Sequence, residues 1–272
     1  MSEGKIGLIA GNGEFPMIFS ARARAMGFSV IAAAHEGETT DALSAQVDEI
    51  LWIRVGQIGK IISFFKKQGV TQTIMAGGIR KTRIFEMRPD LRALTILSRI
   101  KEKKDDVLLR AFAEELEREK IQVKAATFLL TPLLAKAGEW TRPLRKEERA
   151  DIAWGWSFAK KIGALDIGQC VVLRNGVILA VEAIEGTDAA IRRGGTLGKE
   201  NAVVIKICKP QQDLRFDLPT VGPETIQTMK EVKAAVLVVE AGKTIVLEKE
   251  RFLKEAKAAS IAVVGYQEPP SE

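Results

Sequence analysis

Apolar positions along the first part of the chain fall into short, nearly continuous runs separated by amphipathic stretches. Lys5 to Ala10 (KIGLIA), Phe28 to Ala34, Glu49 to Arg54 and Thr71 to Ala76 read as buried parallel strands. Between them, Glu14 to Met26 and Ile58 to Gln68 carry helical periodicity. Such alternation predicts a parallel sheet with helices on its faces. Arg88 to Lys120 is helical in pattern, with a break near Lys101 to Asp105.

The rhythm then changes. Ala137 to Lys146 (AGEWTRPLRK) has the Gly, Pro and charge content of a linker. The chain therefore divides into an amino-terminal domain over 1–136, a linker over 137–146 and a carboxy-terminal domain over 147–272. Glu147 to Ile162 is a helix whose Trp154 and Trp156 cannot share one face, so one of them is expected to be exposed or to meet another domain while at least one packs in the core. Gln169 to Arg174 and Val177 to Glu182 flank Asn175-Gly176, a strong hairpin signal. A short helix over Thr187 to Arg193, a strand over Ala202 to Cys208 and a helix over Pro223 to Val232 follow. Next comes an expected hairpin, Ala235 to Val239 with Thr244 to Leu247, then a helix from Lys249 to Ala258 and a strand from Ile261 to Val264. The fold class is thus α/β in two domains: a Rossmann-like parallel sheet, then a mixed α/β domain.

Composition narrows the chemistry. The 272 residues are 46% hydrophobic and 28% charged, which suits a chain able to bury a core. The amino terminus has no signal-peptide pattern, and no run approaches the roughly 18 apolar residues of a spanning helix, so a cytoplasmic protein is expected. Cys170 and Cys208 lie within apolar runs and read as buried reduced thiols. With His35 the only histidine, a zinc centre or a Ser-His-Asp triad has almost nothing to be built from. The net charge of +6 fits an acidic ligand or an anionic membrane surface. One Tyr and no RNP-like or zinc-finger pattern argue against nucleic acid.

Four stretches carry candidate chemistry. In IAGNGEFP (9–16) a strand ends in Gly11-Asn12-Gly13 at a helix start, where backbone N–H groups can meet a phosphate; a tight turn alone is the plainer reading. Pro16 stands where the dinucleotide fingerprint needs a small residue. In MAGGIRK (75–81) a strand ends in Gly77-Gly78 ahead of Arg80 and Lys81, either a ligand edge or a solvated basic turn. In AVEAIEGTDAAIRRGG (180–195), Thr187 can cap the helix it begins, Glu185 and Asp188 add charge, and Glu182 within an apolar run needs a partner. KPQQDLRFDLPTVGPET (209–225) packs Lys209, Gln211, Asp213, Arg215 and Asp217 together. On an extended segment Asp213 and Asp217 would face the same side, suiting a magnesium–phosphate site; internally paired loop charges are the plainer alternative.

Taken together, IAGNGEFP, MAGGIRK, IGQ with VVLRNGVILAVEAIEGTDAAIRR, and KPQQDLRFDLPTVGPETI resemble the LpxI-type UDP-2,3-diacylglucosamine pyrophosphatases of lipid A biosynthesis, over about residues 5 to 265. The resemblance implies a Rossmann-like domain and a second domain of its own fold, with the lipid nucleotide held between them. It implies Mg²⁺-dependent hydrolysis of UDP-2,3-diacylglucosamine to UMP and 2,3-diacylglucosamine 1-phosphate (lipid X), with water attacking the β-phosphorus. The family's essential aspartate carries onto Asp217, and Asp213 is the second candidate; both are the candidate Mg²⁺ ligands. Lys209 is the candidate catalytic cation. Gly11, Asn12, Gly13, Gly77, Gly78 and Arg80 are expected to bind substrate, as are Gln169, Glu185, Gly186, Thr187, Asp188 and Gln211. The acyl chains imply an apolar groove and transient contact with the inner membrane surface, and a homo-oligomer is left open. An NAD(P)-dependent oxidoreductase and a non-catalytic nucleotide-binding module are the other readings.

Overall fold

The computed structural model describes residues 4–80, 88–100, 105–125, 127–216 and 218–268. The chain divides into two compact units. The first runs to Thr131 and takes in residues 213–216 as well; the second holds Pro132 to Gln212 and resumes at Leu218.

In the first unit, β1 (Gly4–Ala10) and β2 (Phe28–His35) are buried along most of their length, as parallel strands covered on both faces must be. Between them α1 (Phe15–Ala25) starts with Pro16 in its first turn, where a missing N–H goes unneeded. After β3 (Glu49–Ile53), α2 (Ile58–Gln68) ends at Gly69, whose φ of 70° caps it in the left-handed region. Next come β4 (Gln72–Ala76), α3 (Leu91–Arg99), α4 (Asp105–Arg118) and the edge strand β5 (Gln122–Val123). Asp90 caps α3 by accepting the Ala93 N–H at 3.0 Å, and it also accepts the Gly59 N–H at 2.7 Å, so one carboxylate ties the starts of α2 and α3. The five strands lie in the order β3-β2-β1-β4-β5, all parallel. The winding reverses between β1 and β4, and ligands of open α/β sheets bind at the strand carboxyl ends beside such a point.

The second unit begins with a two-residue strand, β6 (Gly138–Glu139), and the long helix α5 (Lys146–Ala164). The stretch expected to be a linker, 137–146, is therefore structured. Its β6 pairs antiparallel with the last strand, β13 (Ala262–Tyr266), and Arg142 donates to the carbonyls of Ser260 and Ala235. Trp156 on α5 is buried against Tyr266, whereas Trp154 is exposed and stacks on Phe158. β7 (Cys170–Arg174) and β8 (Val177–Val181) form the expected hairpin, with Asn175 and Gly176 both at positive φ.

α6 (Thr187–Gly198) runs past the expected stop at Arg193. A Cβ on Gly194 would lie 2.5 Å from Val172 Cβ, and one on Gly195 2.2 Å from a Val232 methyl, so these glycines serve close packing rather than termination. β9 (Val203–Lys206), β10 (Thr220–Val221), α7 (Pro223–Glu231), β11 (Val236–Glu240), β12 (Ile245–Val246), α8 (Lys249–Ala258) and β13 (Ala262–Tyr266) complete the unit. The main sheet runs β6-β13-β11-β9-β7-β8, with β9, β11 and β13 parallel. The expected hairpin of 235–247 does not form. β11 has β9 and β13 as its neighbours, and Ile245–Val246 pairs instead with Thr220–Val221.

Candidate functional site

At the reversal point of the first unit, three strand ends converge. The Gly11 N–H donates to Ala76 O and the Asn12 N–H to Gly78 O, each at 2.8 Å. The turn after β1 is thus laced to the turn after β4. A Cβ on Gly11 would stand 2.2 Å from Gly78 O, and one on Gly77 2.2 Å from Asn12 O. Glycine at 11 and 77 is required by this mutual approach, and the amides of Gly11 and Asn12 are spent on it rather than on a ligand. Gly13, with φ of 84°, faces open space at the start of α1. Asn12 Nδ2 donates to Glu38 Oε2 at 2.8 Å, and Arg80 donates through Nε to Glu38 Oε1 at 3.0 Å and through Nη2 to Gly37 O at 2.7 Å. Burial would raise the Glu38 pKa, but the Asn12 and Arg80 hydrogen bonds outweigh it and hold the carboxyl below its ordinary range. Lys81 lies outside the described residues.

In the second unit, Glu182 just beyond β8 is buried, and its carboxylate finds neutral donors. Thr187 Oγ1 donates at 2.9 Å and the Gln169 N–H at 3.3 Å. Thr187 therefore does not cap α6; Gly186, with φ of 86°, occupies that position, and the Thr187 hydroxyl serves Glu182 instead. A Cβ on Gly168 would lie 2.0 Å from Glu182 O, so the approach of Gln169 to Glu182 depends on the glycine before it. Glu185 accepts from Arg193 at 2.7 Å, which holds its carboxyl below the usual range, and Asp188 is exposed on the first turn of α6.

The KPQQD stretch is divided between the units. Lys209 and Gln211 belong to the second. Lys209 Nζ pairs with Asp166 at 2.7 Å and Gln211 Nε2 donates to Gly163 O at 2.9 Å, both at the end of α5. Just ahead of them, Glu240 accepts the Cys208 N–H at 2.9 Å and Lys160 Nζ at 2.6 Å, which fixes the start of the loop.

Asp213 belongs to the first unit, where Phe216 enters the core with Ile31, Phe65 and Leu116. Residues 213–216 form a turn, closed by the Phe216 N–H donating to Asp213 O at 3.0 Å, so they are not the extended backbone on which Asp213 and Asp217 would share a face. Asp213 is gripped by the Arg215 fork at 2.8 to 3.2 Å, and this hydrogen bonding holds its carboxyl below the usual range. Asp217 lies outside the described residues.

Two sequence profiles cover nearly the whole chain: the LpxI N-terminal domain over residues 5–133 and the LpxI C-terminal domain over 136–264. The chain belongs to the LpxI family. A curated relative, UDP-2,3-diacylglucosamine pyrophosphatase LpxI of Caulobacter vibrioides, is 32% identical over 96% of this chain and 97% of its own length. Solved structures offer remote likeness alone. The biotin carboxylase domain of Hydrogenobacter thermophilus 2-oxoglutarate carboxylase is 15% identical, with a TM-score of 0.27 over 63% of this chain and 35% of that one. Campylobacter jejuni biotin carboxylase is 12% identical, with a TM-score of 0.29 over 71% and 42%. This chain spans well under half of those chains, and scores so low support no conclusion.

Of the two candidate Mg²⁺ ligands in this LpxI-family chain, Asp213 is among the described residues and Asp217 is not. Among the described residues no three of His, Cys, Asp and Glu gather to hold a metal, and Asp213 and Glu185 are each engaged by an arginine. Among the described residues no helix is long and apolar enough to cross a membrane. The sequence reading missed Glu38. It lies between Gly37 and Thr39-Thr40, a setting that looks like a solvated turn, and only its place beyond an apolar strand could have drawn attention to it.

Proposed function

We propose that the chain hydrolyses the diphosphate of UDP-2,3-diacylglucosamine to UMP and 2,3-diacylglucosamine 1-phosphate, a step of lipid A biosynthesis. The observation that carries this is the end-to-end match to the Caulobacter vibrioides enzyme, 32% identical over 97% of that relative's length. Diphosphate hydrolysis asks a protein mainly to orient water and neutralise charge. Arg80 at the strand ends of the first unit and Lys209 in the second are the cations assigned to the phosphate oxygens. The α1 terminus behind Gly13 adds backbone N–H groups and a positive dipole end.

In this proposal water attacks the β-phosphorus. A bond forms from the water oxygen to that phosphorus, the bond to the bridging oxygen breaks, and UMP leaves with that oxygen. Asp217, matched to the family's essential aspartate, is assigned to the attacking water, with Asp213 held in reserve by Arg215. Gln169, Gly186, Thr187, Asp188 and Gln211 are assigned to substrate. Asp217 and Asp213 are the residues assigned to hold Mg²⁺, which would neutralise charge on the diphosphate oxygens. Contact with an anionic membrane surface, favoured by the net charge of +6, belongs to the same proposal.

The test is UMP release from UDP-2,3-diacylglucosamine with Mg²⁺ or with EDTA, for wild type and Asp217→Ala. Metal-dependent release that collapses in the variant is expected. Release that survives the substitution removes Asp217 from its role, and no release from wild type overturns the activity itself.

A further inference from the structure

The turn after β2 is built to deliver one carboxylate. The His35 N–H donates to Thr39 Oγ1 at 3.1 Å, and that hydroxyl donates onward to Ala10 O at 2.7 Å. His35 Nδ1 meets the same carbonyl at 2.8 Å, and the Glu38 N–H donates to His35 O at 3.1 Å. Glu38 is therefore anchored to the end of β1 before its side chain makes any contact. Its side chain, with no exposed surface, then receives Asn12 of the glycine turn and Arg80 of the turn after β4, whereas the Arg80 side chain remains 59% exposed. Asn12 is used at both ends, since its Oδ1 accepts the Gly78 N–H at 3.3 Å.

We propose that Glu38 is a positioning residue: its buried carboxylate locks Asn12 and Arg80 into one unit and sets the direction in which the Arg80 guanidinium meets the substrate's diphosphate. The inference rests on the hydrolase reading for what Arg80 meets. A long, exposed arginine has many rotamers to lose, and fixing its Nε and Nη2 inward removes most of that loss before a ligand arrives. A carboxylate is needed because both partners bring N–H donors. A glutamine offers one acceptor oxygen and turns its own N–H donors toward the second partner.

The experiment uses the full chain as Glu38→Gln, Glu38→Asp, Arg80→Ala and the Glu38→Gln/Arg80→Ala pair. Glu38→Gln is expected to lower kcat/KM for UMP release by about tenfold or more, the scale of breaking a buried hydrogen-bonded charge pair. Glu38→Asp keeps the charge and is expected to recover part of the loss. The paired variant should be no slower than Arg80→Ala alone, because Glu38 acts through Arg80. Losses that add in the paired variant would make Glu38 merely structural and overturn the proposal. Should wild type release no UMP, the hydrolase reading fails separately, and the Arg80 Nε–H resonance then decides. A shift in Glu38→Gln that Glu38→Asp reverses sustains the positioning role; an unmoved resonance ends it.

Discussion

Glu148 offers a prediction whose size follows from the geometry. It lies in the first turn of α5 with 5% of its side chain exposed. Oε1 accepts from Arg142 Nη2 at 2.8 Å and from Arg145 Nη2 at 2.7 Å, while Oε2 accepts from Arg142 Nη1 at 3.0 Å and the Arg145 N–H at 2.8 Å. Burial pushes the carboxyl up, but the two arginines outweigh it and bring the pKa from 4.5 down to about 2. A pKa depressed by folding contributes stability that is present above the unfolded value and is lost as pH falls through the folded one. A gap of about 2.5 units at 1.36 kcal/mol each gives roughly 3 kcal/mol at pH 7, falling to about 2 kcal/mol at pH 3.5 and nearly vanishing at pH 2.

Glu148→Gln should therefore lower the stability of the second unit by roughly that amount at neutral pH, and by progressively less in acid. Urea unfolding followed by tryptophan fluorescence suits the test, because Trp140, Trp154 and Trp156 all belong to this unit. Wild type and variant curves that coincide at pH 7 would refute the reasoning, as would a gap between them that stays constant down to pH 2.

Two further outcomes follow from packing. Gly77→Ala, at φ of 81° and with its Cβ 2.2 Å from a backbone oxygen, should destabilise the first unit by about 3 kcal/mol, whereas Gly13→Ala meets open space and should lose only about 1 kcal/mol to its positive φ. Chemical denaturation of both variants checks this, and equal losses would contradict the close-approach account. Cys170 and Cys208 are buried thiols outside any disulfide, and burial pushes the Cys170 thiol up, so neither should react with a thiol reagent in the native protein at neutral pH. Both should react in denaturant; rapid native labelling of either would count against its placement.

The first unit was legible because β1, β2 and β4 are buried along most of their length and leave continuous apolar runs, as in Ile6 to Ala10 and Val30 to Ala34. Asn175-Gly176 was legible because that pair fixes its own turn whatever surrounds it. The second unit misled wherever local chemistry stood in for a tertiary partner. Ala241-Gly242 looks like a hairpin turn, yet β11 is buried throughout with both flanks filled by β9 and β13, leaving no slot for Ile245 and Val246. Gly194-Gly195 looks like a helix stop, but the glycines exist so that α6 can approach Val172 and Val232. In neither case does the sequence near the turn contain the deciding neighbour.

The site follows the same logic with a sharper rule. Glu38 follows β2, Glu182 follows β8 and Glu240 ends β11, and all three are buried. Each carboxylate collects donors from a different segment: Asn12 and Arg80 for the first, Gln169 and Thr187 for the second, Cys208 and Lys160 for the third. A charge carried that far into a sheet edge is unfavourable unless it is met, so its partners must be held still as well. Glu182 could be singled out from sequence because it interrupts an apolar run, whereas Glu38 sits among glycine and threonine and only its place beyond β2 marks it. An acid within a few residues of a buried strand's end is thus a better guide to the fixed polar positions within each unit than the glycines, whose chief service here is to let the turns meet.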